Sequence, residues 1–122
     1  MIDHVTLGVS DLERACAFYD RALAPLGIER LYAEGDSFSG YGVRPKAFFW
    51  IGRRPEMPTG THVAFVAIDR TAVDRFYEVA LAAGGRDNGS PGLRPQYREN
   101  YYGAFVLDPD GHNIEAVCYA PA

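Results

Sequence analysis

Cysteine is scarce in this chain, and so is any long apolar run. Only Cys16 and Cys118 are present, falling on a predicted helix and a predicted strand. With no export-type charged-then-apolar leader, two such residues are expected to be reduced, buried, small hydrophobes rather than a disulfide staple. No stretch approaches the roughly 18 apolar residues that a membrane-spanning helix needs, so membrane partners are not expected and the protein is read as cytoplasmic. Basic charge is also in short supply. Twelve Lys and Arg face sixteen Asp and Glu, for a net charge of −4, which gives no cationic footprint for nucleic acid. Several catalytic signatures are missing as well: a phosphate-cradling glycine loop, a paired-cysteine zinc motif and an HExxH helix. Gly35-Asp36-Ser37-Phe38-Ser39 lacks the last glycine of a nucleophile elbow and leads into no helix. Nucleophilic hydrolysis therefore has no support.

What the chain does have is a repeat. Residues 4–27 (HVTLGVSDLERACAFYDRALAPLG) and 62–85 (HVAFVAIDRTAVDRFYEVALAAGG) coincide without gaps at nine of 24 positions, and matches of this kind are the mark of a duplicated unit. His4/His62, Phe18-Tyr19/Phe76-Tyr77 and Gly27/Gly85 fall in one register. Each copy starts with a short apolar, β-branched or aromatic strand. A helix follows, with Ser10/Glu13 as a capping box and Thr71/Asp74 as a weaker one. Leu12, Ala15, Cys16, Tyr19 and Leu23, and likewise Val73, Phe76, Tyr77, Ala80 and Leu81, recur at helical spacing. Gly27 and Gly85 are expected to end the two helices in left-handed caps. Three strands should follow each helix, at about 28–33, 37–42 and 46–52, then 85–88, 100–107 and 113–119. Asp108-Pro109-Asp110-Gly111 joins the last two as a hairpin. The fold class is α+β: one domain over 1–122, made of two βαβββ modules at about 1–54 and 60–120, joined by a linker at 53–60. Residues 86–100, rich in Gly, Pro and Asn, are read as a loop and as the lid or specificity element.

Three residues stand out chemically. His4 and His62 open the first strands of the two copies at symmetric points. Glu115 lies between Ile114 and Ala116-Val117 in the last strand, where a carboxylate is costly to bury without a compensating cation or donors. Two histidines and one carboxylate from three strands form the facial set that leaves metal positions open for a substrate. The third histidine, His112, follows the turn glycine and is read as a surface or turn residue. Trp50, Phe49, Tyr101 and Tyr102 are candidates to line the pocket, with one of Phe48 and Phe49 expected in the core. Arg94, Tyr97 and Arg98 either reach an acidic group of the substrate or are solvated loop residues.

These residues carry a family likeness. His4-Val5-Thr6-Leu7-Gly8-Val9-Ser10-Asp11-Leu12, Phe18-Tyr19, Thr61-His62-Val63-Ala64-Phe65 and Asp108-Pro109-Asp110-Gly111-His112-Asn113-Ile114-Glu115 together resemble the vicinal oxygen chelate superfamily, which includes glyoxalases, bleomycin-resistance proteins and ring-cleaving dioxygenases. The resemblance covers essentially the whole chain. It implies paired βαβββ modules whose sheets curl into a cup around a divalent metal (Fe²⁺, Mn²⁺, Ni²⁺ or Zn²⁺), with His4, His62 and Glu115 at positions that look like ligands. Glu115 is also the residue given a catalytic role. Glyoxalase I-like members add a glutamate in the last strand of the first module; here that strand reads Ala47-Phe48-Phe49-Trp50-Ile51-Gly52, and the nearest acid, Glu56, follows in the linker. Three ligands agree better with dioxygenases and fosfomycin-type thiol transferases than with lactoylglutathione lyases. The expected function is that of a metal-dependent enzyme acting on a small oxygenated molecule, as a homodimer. The alternative is a metal-free small-molecule binding protein of the bleomycin-resistance type.

Overall fold

The computed structural model describes residues 2–54 and 60–122; Glu56 and most of the linker lie outside them. In the first module β1 (Val5–Val9) leads to α1 (Leu12–Ala22), a single 3-10 turn at Ala24–Leu26, then β2 (Glu29–Glu34), β3 (Phe38–Val43) and β4 (Lys46–Arg53). In the second, β5 (His62–Val66) leads to α2 (Arg70–Ala82), β6 (Arg86–Leu93), β7 (Tyr102–Leu107) and β8 (Asn113–Cys118). The modules form separate four-stranded mixed sheets of equivalent order, β1-β4-β3-β2 and β5-β8-β7-β6. In each, the first strand runs parallel to the last and the remaining pairs are antiparallel. The expected α+β architecture of two βαβββ units is what the structure has.

Strand parity sorts each sheet into two faces. Leu7, Val9, Phe49, Ile51 and Tyr41 on the first sheet, and Phe65, Ala104, Val106, Ile114 and Ala116 on the second, are buried with the helices. Those helices contribute Phe18, Tyr19, Val73 and Phe76, all fully buried. The opposite faces stay open. They carry His4, Thr6 and Trp50 in one module, and His62, Ala64, Phe105 and Glu115 in the other.

Four local expectations are corrected. The helix N-caps are Asp11 and Asp69, whose carboxylates accept from the Arg14 and Ala72 amides at 3.0 and 2.8 Å. Ser10 instead bonds Asp110 in the other module. At the helix ends, Gly27 adopts φ +76 after the 3-10 turn rather than after α1, and in the second copy the left-handed residue is Gly84 (φ +109), not Gly85. Gly85 is required for another reason: a Cβ there would meet Val106 Cγ1 at 2.5 Å and Phe18 Cε1 at 2.8 Å. The segment expected to be loop at 86–100 is strand as far as Leu93. It is an edge strand, where Pro91 need not donate to a ladder, and register shifts between Asp87 and Gly89 and between Gly89 and Gly92 absorb the irregular residues.

The fourth correction concerns His112, which is 1% exposed. Its Nδ1 accepts from the Thr61 amide at 3.3 Å, so Nε2 carries the proton and donates to the Gly8 carbonyl at 2.8 Å. Nearby, the Tyr19 hydroxyl donates to Asp108 at 2.6 Å, and the other Asp108 oxygen accepts from the Asp110 and His112 amides at 2.9 Å. The turn recognised in the sequence is thus a buried polar staple that joins the two modules. Burial, followed by the Asp108 charge, pushes the Tyr19 phenol well above its ordinary value.

Candidate metal and ligand site

Glu115 is 1% exposed on the open face of the second sheet. In the parallel β5–β8 pair, Ala64 stands opposite Glu115 and His62 opposite Asn113, so His62 reaches Glu115 diagonally along one face. The result is a contact of 2.9 Å between His62 Nε2 and Glu115 Oε1. The other carboxylate oxygen accepts from the Tyr101 hydroxyl. Burial, followed by this bond, pushes the Tyr101 phenol up, so it stays a donor at ordinary pH. Gly103 makes the arrangement sterically possible: a Cβ there would stand 3.1 Å from the Tyr101 ring and 3.3 Å from Glu115 Oε2. The buried carboxylate thus has two partners, while the His62 side chain is 51% exposed and open to a ligand.

His4 is placed differently. Its Nδ1 is 2.7 Å from Asp3, which also pairs with Lys46 at 2.7 Å; Lys46 first and His4 second hold the Asp3 carboxyl below its usual range. His4 and His62 both line a cavity of about 570 Å³. Among the described residues, however, no three His, Cys, Asp or Glu side chains gather into a group able to hold a metal. Within one chain the structure brings together His62 and Glu115 and leaves His4 apart.

The register also shows what stands in for a second carboxylate. Thr6 pairs with Trp50 as Ala64 pairs with Glu115, and Thr6 and Ala64 occupy matching positions of the repeat. Trp50 is therefore the pseudo-symmetric counterpart of Glu115. Its ring lies flat over Gly40, where a Cβ would be 2.5 Å from the indole. Phe38 and Tyr32 flank it, with ring centroids 5.9 and 5.7 Å away. The remaining sequence candidates divide. Tyr101 and Trp50 face the open sides. Phe49 is fully buried against Phe65 at 5.1 Å and backs the cavity that His4 and His62 line, whereas Tyr102 turns to the helix side, donating to Asp74 at 2.6 Å. Arg94 donates to the Ser90 carbonyl at 2.8 Å and packs over Phe105, while Arg98 sits 4.0 Å from the centre of the Tyr119 ring.

The fold and these positions agree with the comparison to known proteins. The model of the Glyoxalase/Bleomycin resistance protein/Dioxygenase superfamily matches residues 1–116. The chain belongs to this superfamily. It is 29% identical over 119 residues to the metallothiol transferase FosB of Shouchella clausii, covering 93% of this chain and 77% of that protein. A crystal structure of a glyoxalase/bleomycin resistance protein from Albidiferax ferrireducens is 30% identical, covers 99% of both chains and superposes with a TM-score of 0.83. A lactoylglutathione lyase from Agrobacterium tumefaciens shares the fold at 18% identity, over 97% of this chain and 92% of that one, with a TM-score of 0.69. Among the described residues no helix is long and apolar enough to cross a membrane.

Proposed function

We propose that this superfamily member is a divalent-metal-dependent enzyme acting on a small oxygenated molecule, with His62 and Glu115 of one copy and His4 of a second copy as ligands. The observation that carries this reading is the 2.9 Å approach of His62 Nε2 to Glu115 Oε1. Two donors each about 2.1 Å from one cation, at right angles to each other, stand about 3 Å apart, so the pair is spaced as neighbouring ligands are. Borderline nitrogen and carboxylate donors suit Fe²⁺, Mn²⁺, Ni²⁺ or Zn²⁺. The bound metal would act as a Lewis acid on a substrate oxygen. Tyr101 fixes the rotation of the Glu115 carboxylate and keeps Oε1 turned to His62. Phe105, whose ring lies 6.1 Å from that of His62, and Ala64 keep the surroundings apolar.

The homodimer follows from incompleteness. Each module carries half a ligand set on an open face, and β1 and β5 are both edge strands with Val66 and Ile68 exposed beside the latter. A two-fold axis that sets the first module of one copy against the second module of the other would unite the halves and cover those edges. Thiol transfer, dioxygenation and lyase or isomerase chemistry all remain compatible with such a site; likeness to the FosB transferase favours the first.

The test is metal stoichiometry with complementation. His4→Ala and His62→Ala are each expected to lose stoichiometric metal. Mixed in equal amounts after reversible dissociation, they should regain about a quarter of wild-type sites, because only heterodimers rebuild one complete set. Recovery of nothing would place the ligands within one chain, and unchanged metal content in His62→Ala would remove the metal reading. The second reading, a metal-free binding protein, is favoured by the mostly apolar lining of the 570 Å³ cavity, which includes Val5, Phe48, Val63 and Phe65. It is supported if purified protein carries an organic ligand and no metal.

A further inference from the structure

The open face of the first sheet has more chemistry than one histidine. A cavity of about 420 Å³ is lined by His4, Thr6, Phe38, Trp50, Arg53 and Arg54, among others. Its floor is aromatic: Trp50 lies over Gly40 with Phe38 beside it, and just outside the cavity Tyr32 stacks on Phe38 at 5.8 Å, the two being 46% and 36% exposed. Two exposed rings and the half-buried Trp50 on one side of a sheet form the kind of apolar patch that marks a binding surface. Its wall is cationic. Arg53 and Arg54 both border the cavity and, among the described residues, neither forms an ion pair. Against them stands one carboxylate at the cavity, Asp36.

We infer that this face is a subsite for a planar aromatic anion, whose ring rests on Trp50 and Phe38 and whose acidic group is held by Arg53 and Arg54. The ring trio matches a flat π-surface through offset or edge contacts. A guanidinium fork matches a carboxylate or similar anion with two parallel hydrogen bonds. Both arginines are exposed, so a wholly apolar occupant would leave their charge unused, whereas an acidic group adds charge-assisted hydrogen bonds. The position of Trp50 fits the same reading: where the second module has a carboxylate for a cation, the first has a ring for a ring. As a statement of substrate class this rests on the enzyme reading above; as a binding site it needs no metal.

The chain contains a single tryptophan, so Trp50 emission reports directly on the floor of the subsite. The experiment titrates the full chain, in the presence of a chelator, with benzoate, with cyclohexanecarboxylate (the same charge without a π-face) and with benzyl alcohol (the ring without the charge). Saturable quenching by benzoate is expected, with each control binding at least about tenfold more weakly. Arg53→Gln/Arg54→Gln should weaken benzoate about tenfold and leave benzyl alcohol unchanged, while Phe38→Ala weakens both. His62→Ala should retain full benzoate binding, so failure of the metal reading and failure of this one remain distinguishable. No saturable response to benzoate, equal affinity for cyclohexanecarboxylate, or unchanged benzoate affinity in the arginine double variant each overturns the inference.

Discussion

If Glu115 is kept for a cation, replacing it should affect the protein in opposite directions with and without metal. Glu115→Gln keeps the side-chain shape and one oxygen but removes the buried negative charge. The carboxylate has two hydrogen-bonding partners, His62 and Tyr101, each a charge-assisted bond of about 1.5–3 kcal/mol. Opposing them is a desolvation cost of several kcal/mol for a group that is 1% exposed. The two nearly cancel, and because the His62 side chain is 51% exposed, neutralising Glu115 leaves no buried charge behind. In chelator, Glu115→Gln should therefore unfold at the same denaturant concentration as wild type or a higher one. With a divalent ion at a thousand times its dissociation constant, wild type should gain about 4 kcal/mol by mass action, and the variant little of it. Equilibrium unfolding in guanidinium, followed by circular dichroism across Ni²⁺, Mn²⁺ and Zn²⁺ concentrations, reads both halves. A loss above about 1 kcal/mol in chelator, with equal metal increments in the two proteins, would make Glu115 a structural residue and refute the argument.

Two further outcomes concern the staple between modules. Tyr19→Phe removes the 2.6 Å bond to Asp108 and leaves a buried carboxylate oxygen without that donor, so a loss of about 1.5–3 kcal/mol is expected in chemical denaturation. The same residue sets an alkaline limit: its phenol is raised above 10.0 by burial and then by Asp108. A raised folded value means that the contribution is full below pH 10 and is lost as pH climbs toward the folded value. The unfolding free energy should fall above about pH 10, with a shallower decline in Tyr19→Phe; an identical slope in the two proteins would contradict the assignment.

Much of this was legible in the residues because the chain is duplicated. The gap-free offset of 58 positions aligns both histidines, and the apolar neighbours of Glu115 mark it as an expensive carboxylate. The same alignment contained the true caps, since Asp11 and Asp69 coincide in it. Ser10 and Thr71 were favoured on capping-box grounds, and the structure spends Ser10 on a contact with Asp110 instead. His112 shares the parity of the buried Ile114 and Ala116, opposite Glu115, so the surface reading failed by weighing the turn glycine before it over that parity. Other features needed coordinates. Gly40 beneath Trp50 and Gly103 beside Tyr101 carry no signal in the sequence, yet each makes room for a ring. The Trp50–Glu115 equivalence was hidden by unequal loops: Trp50 lies 46 residues after His4 (50 − 4), whereas Glu115 lies 53 after His62 (115 − 62), so no gap-free comparison pairs them.

That equivalence permits a direct experiment on how the halves meet. In one copy Trp50 and Glu115 belong to different sheets, and a carboxylate at position 50 would have no reason to influence an ion held by His62 and Glu115. If the open face of one copy's first module closes over the second module of another, position 50 points toward the same ion as His4 does. Trp50→Glu should then add an oxygen donor and raise metal affinity by tenfold or more, on the principle that ligand count and charge set affinity in oxygen-rich sites. Because Trp50 is only half-buried and its neighbour Gly40 leaves space, the shorter side chain should fit without disturbing the sheet. The same substitution should abolish aromatic-anion binding, read by calorimetry since the fluorophore is lost. Metal affinity unchanged in Trp50→Glu, in a protein that still binds its ion, would mean that the two open faces never come together.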